Sequence, residues 1–107
     1  MNDMSNQPLS EQFRIVAKGY VDLDNAASIL EETKSLVLAQ RMKALGDMPV
    51  SKAEMTVKAS PEWEDFILKM VNARTQANLK KFQLEFLRMR ASEWQSDNAN
   101  KRAEMRR

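Results

Sequence analysis

The 107-residue chain contains no cysteine and no histidine. Those absences exclude disulfides, thiolate nucleophiles, zinc sites of the Cys/His kind and histidine general bases. Glycine occurs twice and proline three times, too rarely for a turn-rich β fold. No apolar run approaches the ~20 residues that a membrane-spanning helix needs, so no membrane association is expected. The first eight residues, Met1 to Pro8, lack a basic stretch followed by an apolar core. They do not read as a signal peptide, and a cytoplasmic location is the expectation. There is no glycine-rich phosphate loop and no nucleophile set beside a base. No enzyme, metal or cofactor is expected. The longest absence is the most informative: the 46 residues from Glu62 to Arg107 hold neither glycine nor proline. As one helix they would form a rod of roughly 70 Å at 1.5 Å per residue, too long for a domain of this size to wrap.

What is present favours helix. Apolar residues make up 43% and charged residues 30% of the chain, a balance that suits an amphipathic helical protein and is too apolar for a disordered one. Residues 1–9 are polar and read as a flexible tail. From Ser10, the residues Phe13, Val16, Ala17 and Tyr20 fall at helical spacing. Gly19 is either a stop or a residue absorbed into a longer helix. Asp22 or Asp24 can cap the next helix, whose stripe is Leu23, Ala26, Ala27, Leu30, Val37 and Ala44. Gly46-Asp47-Met48-Pro49 stops it. Ser51-Lys52-Ala53-Glu54 matches a capping box and predicts a short helix over 51–59. Ser60-Pro61-Glu62 starts the last helix, with Glu62, Glu64 and Asp65 complementing its positive end.

The last helix reads in heptads. Trp63, Met70, Ala77, Leu84 and Ala91 form one seam position, and Phe66, Ala73, Lys80, Leu87 and Trp94 the other. Leu79, Phe82, Phe86 and Met89 make a second stripe, which predicts contact with more than one other helix. Beyond Trp94 the pattern ends. The expected organisation is a tail over 1–9, a hairpin domain over 10–95, and a basic polar helix end or tail over 96–107. The fold class is all-α: an antiparallel hairpin of helices 22–45 and 61–95, with short helices before and between them. A two-helix hairpin buries little surface, so a homo-oligomer is expected, with Phe66, Met70, Leu84, Leu87 and Trp94 near the shared core.

Charge is segregated. Residues 1–65 carry seven Lys/Arg against eleven Asp/Glu, and residues 66–107 carry ten against four. Lys69, Arg74, Lys80, Lys81, Arg88 and Arg90 lie within one stretch where Glu85 is the sole acid. Arg74, Lys81 and Arg88 are spaced by seven and share a face. Lys101 and Arg102 continue the basic character into the tail. Such cations suit phosphate neutralisation, and aromatic residues among them can stack on unpaired bases. The acidic pairs Glu31-Glu32 and Glu62/Glu64/Asp65 sit where exposure or capping explains them, so no catalytic residue is assigned.

Leu23, Leu30-Glu31, Leu38-Ala39, Arg41-Met42, the segment Gly46 to Glu54, Ala73-Arg74 and Lys101-Arg102-Ala103-Glu104-Met105-Arg106 carry a resemblance. Over residues 20–107 the chain resembles small helical-hairpin proteins of bacteriophages and prophages found beside recombination and strand-annealing genes. It is similar in outline to the UvsY-type recombination mediators. The resemblance implies a host-cytoplasmic accessory protein of DNA recombination or replication. It would bind single-stranded DNA, assemble as an oligomer, and meet a recombinase or annealing protein. The alternative is a non-enzymatic adaptor or inhibitor of a host complex that binds no nucleic acid.

Overall fold

Two of the sequence's punctuation marks divide the chain as expected. Gly46 adopts φ 86° and donates its N–H to the Lys43 carbonyl at 3.1 Å. That left-handed turn ends a helix at a position where a side chain would be strained. Ser60 precedes Pro61, and its hydroxyl oxygen accepts the Trp63 N–H at 3.2 Å. Between and around these marks, the computed structural model, which describes residues 7–106, contains three helices. They are α1 (Leu9–Ala44), α2 (Val50–Lys58) and α3 (Pro61–Met105). No strand occurs among the described residues. Most of the tail over 1–9 lies outside them.

Two expected boundaries are corrected. Gly19 does not stop a helix: α1 runs through it, so the short helix and the helix over 22–45 are one element of 36 residues. Asp22 and Asp24 are therefore interior residues, not caps. Asp22 accepts a hydrogen bond from Lys18 at 3.0 Å, and Asp24 meets α3. A glycine costs a helix interior only about 0.5–1 kcal/mol relative to alanine, and packing along α3 exceeds that. The second correction concerns α2. Pro49 occupies its N-cap position with no side-chain cap, and Ser51 already lies inside the helix. Pro49 has φ −54° and an extended ψ of 140°, and the first helical residue is Val50, so Ser51 is not at the cap and the Ser51–Glu54 box does not form. The α3 helix also continues past residue 95, to Met105.

The helices α1 and α3 pack antiparallel. Phe13 meets Arg88, Gly19 meets Lys80, Glu31 meets Arg74, and Arg41 meets Phe66. The two heptad positions read from the sequence are the positions that face α1. Trp63, Ala77, Leu84 and Leu87 are buried there, and Phe66, Met70, Ala73, Lys80 and Ala91 half-buried. Val16, Leu84 and Leu87 form the core near the open end, with Leu9, Phe13, Ala17 and Tyr20 around them. Ala27 and Ala77 are fully buried, and such small side chains let the two backbones approach. At the loop end α2 closes the hairpin through Ala53 and Val57, and Trp63 stacks on Phe66 with ring centroids 5.5 Å apart. The result is a rod of 83 × 27 × 16 Å with a radius of gyration of 23.0 Å. A compact domain of this length has about 13 Å.

Candidate functional site

With the seam given to α1, the remaining surface of α3 is what can meet a partner. It divides into two flanks beside the seam, an outer face, and an overhang past the start of α1. Each carries part of the predicted site.

Arg74, Lys81 and Arg88 do share one flank, but α1 engages two of them. Arg74 donates through Nε and Nη2 to the two carboxylate oxygens of Glu31, at 2.9 and 2.8 Å. Its Nη1 donates to Asp24 Oδ1 at 2.6 Å, and Nη2 also reaches Ser28 Oγ at 3.3 Å. This bidentate pairing holds the Glu31 carboxyl below the usual range and raises the Arg74 guanidinium, in both cases chiefly through the shared hydrogen bonds. Arg74 is thus a bridge between helices, with four of its five N–H donors engaged by α1, and not a free phosphate ligand. The Arg88 guanidinium lies over the Phe13 ring, 5.6 Å from its centroid, which leaves its edge open to an anion. Lys81 is exposed and without a carboxylate partner among the described residues.

Lys80 is half-buried in the seam itself. Its stem crosses α1 at Gly19, where an added Cβ would sit 2.8 Å from Lys80 Cε. Lys69 and Arg90 are exposed on the other flank. Arg90 borders a shallow hollow with Gln12, Glu93, Trp94 and Asp97. Lys101 and Arg102 lie in the overhang, where residues 99–106 are all exposed. None of these has a carboxylate partner among the described residues. The predicted cations are therefore not gathered into one patch. They run as two broken rows along the rod and into its free end.

The five residues expected at a shared core are placed differently from one another. Phe66, Met70, Leu84 and Leu87 face α1 of the same chain, and Trp94 is 63% exposed. Trp94 lines a groove of about 640 Å³ at the open end with Leu9, Phe13, Leu87 and Ala91.

The outer face holds what the sequence reading only half found. Leu68, Val71, Leu79, Phe82, Phe86 and Met89 are all exposed. At 3.6 residues per turn they fall within an arc of about 80°, opposite the seam. Phe82 is 65% and Phe86 56% exposed, so neither belongs to the hairpin core. The heptad frame hid Leu68 and Val71, because this stripe follows a 3.6-residue period and drifts across a strict repeat of seven. The Asp24–Ser28–Glu31 row was also legible in principle: these residues stand at helical spacing on α1, opposite a single arginine.

No group of three or more potential metal-ligating side chains occurs among the described residues, and no helix of the described residues is long and apolar enough to cross a membrane. No protein-family model, curated protein or solved structure matches the chain.

Proposed function

We propose that this chain is a non-enzymatic accessory protein that binds single-stranded nucleic acid along its long helix. The observation that carries the reading is one of charge. The described part of α3 and its C-cap holds nine Lys/Arg from Lys69 to Arg106, and only Arg74 has carboxylate partners. In α1 and α2, three of the seven Lys/Arg, namely Arg14, Lys18 and Lys58, are paired within their own helices. Cations left unpaired on a rod are available to phosphates, and two rows of them along its length fit a flexible, extended polyanion better than a compact ligand. Lys69, Lys81, Arg88, Arg90, Lys101 and Arg102 are the contact residues. Lys80 contributes its ammonium at the seam, and Arg74 fixes the scaffold. In the phage recombination setting that the resemblance implies, the protein partner is a recombinase or a strand-annealing protein.

The test is fluorescence anisotropy with a labelled single-stranded oligonucleotide at two salt concentrations. Binding weakens steeply with salt, because each phosphate contact releases a counterion. Lys69→Gln, Lys81→Gln and Arg90→Gln together lower the affinity and flatten the salt slope. Absence of binding at low salt overturns the reading. A second reading, a protein–protein adaptor without nucleic acid, is favoured by the apolar outer face of α3. It is retained if the triple variant leaves every activity of the protein unchanged.

A further inference from the structure

The outer face of α3 lies opposite the hairpin seam and carries none of the cations assigned to phosphate. We propose that it pairs with the same face of a second copy of this chain, antiparallel, about a two-fold axis beside Leu79.

The order of residues along the stripe points to this occupant. Read from either end, the stripe places side chains at nearly the same intervals: 68, 71, 75, 79, 82, 86 and 89. Turned end for end about its midpoint, it therefore meets itself. Leu68 falls against the partner's Met89, Val71 against the partner's Phe86, and Thr75 against the partner's Phe82. Leu79 lies next to its own copy. Such self-complementarity is what an isologous two-fold contact requires.

The sizes select the antiparallel direction. Val71 and Thr75 are the smaller residues of the stripe, and Phe82 and Phe86 the largest. Antiparallel pairing sets each phenylalanine over a small residue, so the helix axes can run evenly at about 8–10 Å. Parallel pairing would oppose Phe82 to Phe82 and Phe86 to Phe86, and leave the other half of the stripe loose. Charge on the flank agrees. Asp65 and Arg90 lie on the same side of the stripe at its two ends, and antiparallel pairing brings Asp65 near the partner's Arg90 twice. In parallel pairing the two copies of this flank lie on opposite sides of the contact, and Asp65 and Arg90 do not meet. Glu64 and Glu93 close the stripe and limit it. Each faces the other's copy at an end of the contact, like charge against like, with the Asp65–Arg90 pair beside it. The helix dipoles also oppose favourably in this direction.

The need for a partner follows from the core. Of the eight buried apolar residues among the described ones, Ala27, Ala53 and Ala77 bring little surface. The exposed row, interrupted only at Thr75, spans about 32 Å of helix at 1.5 Å per residue, and exposed apolar surface gathered on one face marks an interaction site.

The absence of cysteine makes the test free of background. Sedimentation of the full chain, without nucleic acid, gives twice the chain mass. F82E/F86E halves it while the far-ultraviolet circular dichroism keeps its helical content. Under mild oxidation L79C cross-links to itself. L68C and M89C do not cross-link alone but do so when mixed. Self-cross-linking of L68C and of M89C, each alone, indicates parallel pairing and overturns the proposal. A wild-type chain that sediments as a monomer at all concentrations also overturns it and leaves the face to a foreign helix. Because no nucleic acid is present, neither outcome bears on the phosphate reading.

Discussion

Gly19 and Gly46 look alike in the sequence. Each follows apolar residues at helical spacing; Gly46 reads as a helix end, and Gly19 as either an end or a residue absorbed into a longer helix. Their backbones separate them. Gly46 has φ 86° with nothing within 4 Å of an added Cβ, so its cost is conformational and not steric. Gly19 is helical, and the one obstacle to a side chain is the flexible end of Lys80. The two alanine substitutions should therefore have opposite signs. Gly46→Ala destabilises by about 1–2 kcal/mol through the left-handed strain. Gly19→Ala stabilises by about 0.5–1 kcal/mol, because it removes helix-interior glycine and Lys80 can swing aside. Urea denaturation followed by circular dichroism reads both. At Arg74 the site could not be separated from the scaffold by sequence alone. Spacing by seven placed it in a phosphate row, yet Glu31 and Asp24 come from a helix more than forty residues away in the chain. A local pattern carries no information on which acids a distant helix will present. The Arg74–Glu31 pair has a pH signature. The Glu31 carboxyl is held below its ordinary value of 4.5. Its contribution to stability is thus present above that value and is lost as pH falls through the depressed folded value. In Arg74→Met, the part of the acid-side loss of stability due to this pair disappears, which thermal melts across a pH series below neutrality measure.

Helix identity was largely legible, and helix ends were legible only where backbone geometry is dictated by one residue type. Gly46 and Ser60-Pro61 are such places: positive φ in one, a hydroxyl acceptor and a fixed φ in the other. Ser51–Glu54 was not. Its pattern sits next to Pro49, which takes the N-cap position two residues before Ser51. The end of α3 was open between helix and tail, since the polar run after Trp94 has no packing stripe to fix it. The structure keeps it helical to Met105, with residues 99–106 exposed to solvent. An unpacked helix end contributes little to folding, as most helical stability in proteins comes from tertiary contact. Deleting the residues after Gln95 should leave the thermal midpoint unchanged while helical ellipticity per molecule falls. On the phosphate reading, the same deletion removes Lys101 and Arg102 and weakens oligonucleotide binding. A large drop in the midpoint would mean that the overhang packs against something.

At the scale of the molecule, the length of the uninterrupted helix announced a rod, and the rod is there: 83 Å long, with a radius of gyration of 23.0 Å. The heptad seam was also correctly located on α3. What the periodicity could not state is which helix fills the seam, because knobs fit holes from the same chain or another equally well. Here α1 fills it, and the apolar surface left for assembly moves to the opposite face. That shift decides the shape of an assembly. Copies joined end to end, through Trp94 and the open groove, would give a particle nearly twice as long. Copies joined side by side about Leu79 would barely lengthen. The midpoint of the outer stripe lies within a few residues of the middle of α3, so the antiparallel pair extends the rod by only about 13 Å at 1.5 Å per residue. Small-angle X-ray scattering separates these cases without labels. For side-by-side pairing the forward scattering doubles, the cross-sectional radius grows, and the maximum dimension stays close to that of one chain. For F82E/F86E the forward scattering halves at nearly constant maximum dimension. A maximum dimension that falls in step with mass would place the contact at the ends of the rod and remove the outer face from the assembly.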